Sequence, residues 1–164
     1  MRLISAMMIA VLAFALASCS SKFITYNGPE VTRVAVFKER RKMYLLHHDQ
    51  VLESYDIELG FEPLGHKQIE GDGRTPEGDY LVDRRNPKSA FYLSIGISYP
   101  NAADRAYAAS IGKSPGGDIF IHGRPKAFRN GEDDWTAGCI AVTDKEMRDI
   151  YAMVNNGTVV SIYP

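Results

Sequence analysis

Asp118-Ile119-Phe120-Ile121-His122-Gly123, then fifteen residues, then Cys139-Ile140-Ala141-Val142, is the part of the chain that decides its fold. The first run alternates, with Ile119 and Ile121 on one side and Asp118, Phe120 and His122 on the other, which is the period of a half-buried strand. The second run is short and apolar and reads as another strand. A histidine therefore ends one strand and a cysteine begins the next. The connection, residues 124–138, is long for a compact domain, and such loops are more often functional than not. Neighbouring strands would bring imidazole and thiol together at their ends.

The flanking sequence keeps this β-rich texture. Val31–Phe37, Met43–His47, Val51–Ile57, Asp79–Asp83, Phe91–Ile97 and Thr158–Ile162 are further strand candidates, rich in β-branched and aromatic residues. Thr75-Pro76-Glu77-Gly78 reads as a tight turn, because Pro76 fixes one φ angle and Gly78 accepts a positive one. One helix is clear. Thr143 and Glu146 form a capping box, and Met147, Ile150, Tyr151 and Val154 make an apolar stripe at helical spacing. Gly157 reads as its C-terminal cap, and Ala103–Ile111 as a second, weaker helix. The expected fold is mainly β (α+β), a sandwich or distorted barrel with one or two helices.

The N-terminus has a different character. Arg2 precedes an apolar stretch, Leu3–Ala17, whose fifteen residues span roughly 22 Å as a helix, short of a ~30 Å hydrocarbon core. With no polar face and small residues at its end, it reads as a secretory signal rather than a domain helix. Leu16-Ala17-Ser18-Cys19 resembles the bacterial lipobox, so Cys19 is the expected lipidation site. Ser20 after the cysteine favours the outer membrane, by analogy with lipoprotein sorting. A secreted protein with a free Cys19 stays open at this point. The expected division is residues 1–18 as a lipoprotein-type signal peptide, 19–30 as a lipidated tether and 31–164 as one domain. Nineteen basic and twenty acidic residues give a net charge of −1, with no basic stripe to suggest nucleic acid. Nothing in the sequence indicates an oligomeric state.

Cysteine arithmetic sharpens the chemistry. With Cys19 assigned to an anchor, Cys139 has no disulfide partner in the chain, in a compartment where free thiols usually need a reason to exist. A thiol near its ordinary pKa of ~8.5 needs a base, and His122 is the candidate. The carbonyl of Gly123 or a neighbour is expected to orient the imidazole. Gly138 and Thr136 are the candidates for stabilising an oxyanion, by backbone N–H and hydroxyl respectively. No carboxylate identifies itself as a third member. His47 and His48 would point to opposite faces of a strand and no metal-ligand spacing occurs, so no metal and no cofactor are expected.

Ile121-His122-Gly123, a long loop, and Thr136-Ala137-Gly138-Cys139-Ile140 resemble the signature of the L,D-transpeptidase catalytic (YkuD) domain. Gly73-Arg74-Thr75-Pro76-Glu77-Gly78-Asp79-Tyr80 looks like that family's Thr-Pro-x-Gly turn, and Gly116-Gly117-Asp118-Ile119 like its approach to the histidine. The likeness runs from about Val31 to Ile162. It implies an L,D-transpeptidase-like β fold, a Cys139 nucleophile, a His122 general acid/base and peptidoglycan stem peptides as substrate. It further implies an acyl-enzyme, release of D-Ala, and transfer to an amine or to water in the periplasm, in the service of cell-wall biogenesis and cell shape. Arg105, Arg124, Lys126 and Arg129 are candidates to pair with stem carboxylates, and Tyr99 and Trp135 to line the cleft. Where many members carry Ser-His-Gly-Cys and a later Asn, this chain has Thr136-Ala137-Gly138-Cys139 and Ala141. That departure, with Tyr99-Pro100-Asn101 and Asp104-Arg105, looks closer to the YafK-type branch, part of which is associated with cutting protein–peptidoglycan links. A hydrolase or amidase, or a non-catalytic wall-binding lipoprotein, are the alternatives.

Overall fold

The structure, a computed structural model, describes residues 21–125 and 133–164. All the strands foreseen from sequence are present, in one eight-stranded sheet of order β3-β2-β1-β8-β4-β5-β6-β7. They are β1 (Arg33–Phe37), β2 (Lys42–His47), β3 (Gln50–Asp56), β4 (Gly78–Asn86), β5 (Ser94–Ile97), β6 (Phe120–His122), β7 (Ile140–Ala141) and β8 (Val159–Tyr163). Two pairs are parallel, β1 with β8 and β6 with β7, and the others are antiparallel. The sheet curls so far that the chain leaving β3 reaches the opposite edge. Glu58 bridges Ala141 of β7, exchanging backbone bonds of 2.9 and 2.8 Å, and Gly60 bridges Thr136. The result is a distorted half-barrel rather than two stacked sheets.

Among the described residues, two helices join it. Helix α1 (Ala102–Ser110) is capped by Asn101 and Asp104, and α2 (Asp144–Met153) by the Thr143–Glu146 box expected from the sequence. Met147, Ile150 and Val154 are fully buried against Ile95, Ile97, Ile121 and Ile140, so α2 covers the core face of β5–β7. Gly157 is not its cap. The helix stops at Met153 with Val154 extended, and Gly157 instead donates its N–H to Val82 O at 2.8 Å in the following turn. The helix C-terminus is satisfied by Arg85, whose guanidinium donates to Tyr151 O and, at 2.7 Å, to Val154 O, complementing the helix dipole.

The expected strand Phe91–Ile97 begins only at Ser94. Phe91 lies outside the ladder and uses its ring elsewhere, as described next. The Thr75–Gly78 turn enters β4 as expected, with Gly78 at φ +119°.

Candidate active site

The parallel pairing of β6 and β7 positions the chemistry. Its register sets Ile121 opposite Ile140 and His122 opposite Ala141, which matches Phe120 with Cys139 one step earlier. Ile121 and Ile140 are buried in the core, so Phe120, His122, Cys139 and Ala141 belong to the other face. His122 and Cys139 are thus diagonal neighbours across two adjacent strands. The same face continues sideways: His122 pairs with Ser94 of β5, and Ala141 with Glu58 on its far side.

His122 is 3 % exposed. Its Nδ1 lies 2.7 Å from the Gly123 carbonyl oxygen, which can only accept, so Nδ1 carries the hydrogen and Nε2 keeps its lone pair. The ring is held between Phe91 (centroids 4.5 Å) and the edge of Trp135 (5.7 Å). Burial pulls its pKa below the ordinary imidazole value and outweighs the upward pull of Gly123.

Cys139 is a free thiol. Phe120 donates its N–H to Sγ at 3.4 Å, and Sγ donates toward Asp118 O at 3.6 Å. A neutral thiol satisfies both contacts, whereas a thiolate keeps only the first. Burial raises the thiol pKa, with the Asp118 charge adding to it; the Phe120 N–H and the charges of Lys67 and Arg84 pull the other way. Burial therefore favours the uncharged form of each.

The turn before Cys139 is tightly built. Gly138 has φ +123°, and an ideal Cβ there would sit 2.5 Å from Arg74 O, so both its conformation and its contact demand glycine. The Thr136 hydroxyl donates to Cys139 O at 2.7 Å and accepts from Gly138 N–H at 3.2 Å. This corrects the expected use of Thr136. Its one hydroxyl hydrogen is spent on the Cys139 carbonyl, so it braces the Cys139 turn instead of facing an oxyanion. The Gly138 N–H makes the longer, more easily surrendered bond.

The nominated substrate contacts divide. Trp135 and Arg124 both converge on Glu58: the indole Nε1 and the Arg124 guanidinium each donate to its carboxylate, and Arg124 lies 5.9 Å from the Trp135 ring centroid. Together they wall the site beside His122. A cleft lined by Glu58, Arg124, Asp134, Ala141 and Thr143 opens at this wall, though neither His122 nor Cys139 lines it. Tyr99 is not in the cleft. It is 4 % exposed, packs edge-on to Tyr80 and donates its hydroxyl to Pro115 O at 2.9 Å, so it is a core residue. Arg105 is exposed on α1 and donates to Pro100 O. Lys126, Arg129 and Cys19 lie outside the described residues.

Two residues on this face were not singled out from sequence. Glu58 looked like any surface carboxylate, and only the curl of the sheet brings it beside Ala141. Arg84 of β4 lies in the row of Cys139, since Arg84 pairs with Gly96 and Gly96 with Phe120. A group of three or more His, Cys, Asp or Glu side chains able to hold a metal ion does not occur among the described residues.

Comparison with known proteins gives this geometry a family. Residues 31–162 match the family model described as YkuD, the L,D-transpeptidase catalytic domain. A relative in Escherichia coli K12, "Putative L,D-transpeptidase YafK", is 35 % identical over 144 residues, which is 80 % of this chain and 53 % of that protein. The chain thus spans about half the length of the curated relatives it matches. Among solved structures, the helical cell shape determining protein Pgp2 of Campylobacter jejuni superposes with a TM-score of 0.63 at 26 % identity, covering 88 % of this chain and 51 % of that one. An L,D-transpeptidase from Mycobacterium smegmatis shares the fold (TM-score 0.55, 10 % identity, 82 % and 59 % covered). With the histidine, the glycine–cysteine turn and the Thr-Pro turn all inside the matched span, this chain belongs to the YkuD family of L,D-transpeptidase catalytic domains.

Proposed function

We propose that the protein is a cysteine-dependent peptidoglycan L,D-transpeptidase that forms an acyl-enzyme through Cys139. The observation that carries this reading is the shared face of His122 and Cys139, with Nδ1 tied to Gly123 O so that Nε2 is the nitrogen left for the thiol. In the first half-reaction Nε2 takes the thiol proton as Sγ attacks the carbonyl carbon at the L-centre of the stem. The bond to D-Ala breaks, and its nitrogen leaves with the proton returned by the imidazolium. In the second, an amine attacks the thioester carbon, His122 takes the amine proton, and the released sulfur recovers it. Backbone N–H groups of the Gly138–Cys139 turn serve the oxyanion, Gly138 by giving up its 3.2 Å bond to Thr136. A neutral resting pair suits this role, because charge separates only when a substrate carbonyl is present to receive it.

Water as the acceptor is the second reading. Ala137 and Ala141 supply no side-chain acceptor for the N–H of an incoming amine. The family likeness to Pgp2 further supports work on the cell wall and cell shape. The lipobox supports anchoring through Cys19, with the domain in the periplasm.

The full chain in detergent, given tetrapeptide stems with and without a diaminopimelate-type amine, separates the readings by product mass. Exchanged or dimeric stems support transfer, shortened or released stems support hydrolysis, and identical silence from native and Cys139→Ala enzyme refutes both. Incorporation of a clickable fatty acid, lost in Cys19→Ala, tests the anchor.

A further inference from the structure

A second charged group stands on the face that carries Cys139. Strand β4 begins with its core face at Tyr80 and Val82, both buried, and strict alternation would turn residue 84 inward as well. The ladder to β5 slips instead between Val82 and Arg84: Val82 pairs with Ile97, but Arg84 with Gly96. A bulge of this kind reverses the parity of everything after it. Arg84 is thereby moved to the outer face, in one cross-strand row with Gly96, Phe120 and Cys139.

Gly96 lets the side chain lie flat across the row. An ideal Cβ at Gly96 would come within 2.6 Å of Arg84 Cγ and 2.9 Å of Cζ. The guanidinium crosses β5 and stacks over the Phe120 ring at 4.5 Å. It thus ends over the strand next to that of the nucleophile, about 4.8 Å being the usual strand spacing. Asp83 accepts from Nη1 (2.9 and 3.0 Å) and Asp118 from Nη2 (3.0 Å). Asp118 is held at φ +55°, its backbone carbonyl meets the Cys139 sulfur, and its side chain is 90 % exposed. A guanidinium and a carboxylate are therefore presented side by side, aimed by a bulge, a glycine and an aromatic ring. Exposed ion pairs of this kind are weak, so each member is open to exchange with an outside partner of the opposite sign.

We propose that Arg84 and Asp118 form the subsite that reads an amino-acid zwitterion on the stem peptide, with its carboxylate on Arg84 and its ammonium on Asp118. The inference rests on the transpeptidase reading for the identity of the stem, and it names which end of the stem is recognised. A diaminopimelate side chain ends in such a zwitterion, a lysine side chain in an ammonium alone, and an amidated diaminopimelate has lost the carboxylate. Arg84 keeps Asp83 when Asp118 turns to the ligand, so the guanidinium stays in place during binding.

The test uses full-length Cys139→Ala protein in detergent, so that binding is measured apart from chemistry. Calorimetric titration with tetrapeptide stems differing only at the third residue should show diaminopimelate binding at least about tenfold more tightly than its amide or lysine. Adding Arg84→Gln should weaken the diaminopimelate stem by about 10- to 100-fold, the range for charge-assisted bonds, and leave the amide unchanged. Arg84→Lys should restore part of the loss, and Gly96→Ala should reproduce it by displacing the guanidinium. Equal weakening of all three stems by Arg84→Gln, or no discrimination by the parent protein, would overturn the subsite. Discrimination without any acylation by the native enzyme would uphold it and refute the transpeptidase reading instead.

Discussion

Two of the regions that bury ionisable groups treat them in opposite ways. In the loop that backs the Cys139 turn, charges are kept and saturated. Lys67, 3 % exposed, donates to Asp72 at 2.8 Å and to Ile69 O at 3.0 Å, while Asp72 also accepts from the N–H groups of Gln68, Ile69 and Arg74. Burial pushes the Asp72 carboxyl up, but Lys67 and those three N–H groups more than offset it and hold it below the ordinary carboxylate range. Lys38 is likewise bonded to Glu77, Thr75 O and Gly65 O, and although burial draws its pKa below the usual lysine value, Glu77 opposes that pull. On the β6–β7 face, by contrast, His122 and Cys139 have few partners, and burial drives both toward their neutral forms. Saturated charges fix a backbone; sparsely bonded neutral groups leave a proton able to move. Arg74 links the two regions, with its N–H on Asp72 and its carbonyl against Gly138.

The contrast breaks first at Cys139. Cys139→Ala should abolish acyl transfer while shifting stability by only about 1 kcal/mol, as expected for so small a truncation at a half-buried position; denaturant midpoints and turnover, measured together, check this. His122→Gln should keep the fold and lose about 10²–10⁴-fold in acylation rate, the usual share of a general base, read from single-turnover kinetics. Lys67→Met should do the reverse. It strands Asp72 without its cation, costing about 3 kcal/mol or more of stability, while the thiol of the molecules that remain folded stays reactive, its pKa rising only by the loss of the Lys67 charge, a lesser influence than burial. Equal loss of stability in the site and loop variants would erase the distinction.

Smaller effects sharpen it. Thr136→Val removes the brace and leaves Cys139 O short of a donor, so about 1–3 kcal/mol of stability is at stake, and Thr136→Ser should recover most of it. The pH dependence has a definite sign. His122 is harder to protonate in the folded chain than in the unfolded one, so the unfolded state binds more protons below the ordinary imidazole pKa of about 6.5. Stability from this residue is complete above that value and is lost as pH falls through the lower folded value, by at most about 1.4 kcal/mol per unit. His122→Gln should flatten that part of a stability–pH curve.

Much of this was legible from the chain because strands and caps are local. The alternation around Ile119 and Ile121, the capping box at Thr143 and the Thr-Pro turn each carry their signal within a few residues, and each appears where expected. What stayed hidden depends on contacts distant in sequence. Tyr99 resembled a cleft aromatic until Pro115 O claimed its hydroxyl. Glu58 reaches Ala141 only because the sheet curls through its full width. Arg84 owes its direction to a one-residue slip against β5, and hydrophobic periodicity cannot register an insertion that reverses it. The Thr136 hydroxyl looked available because its acceptor, the Cys139 carbonyl, becomes a partner only once the turn has closed.

The central claim is that Cys139 carries the acyl group and His122 moves its proton. Intact-protein mass spectrometry of the full chain, quenched in acid during incubation with a tetrapeptide stem, tests it directly. The account predicts a mass increase equal to the stem less D-Ala, mapped to Cys139, absent in Cys139→Ala and slowed in His122→Gln. Release of D-Ala with no adduct on Cys139, or an adduct that forms at the native rate without His122, would contradict it.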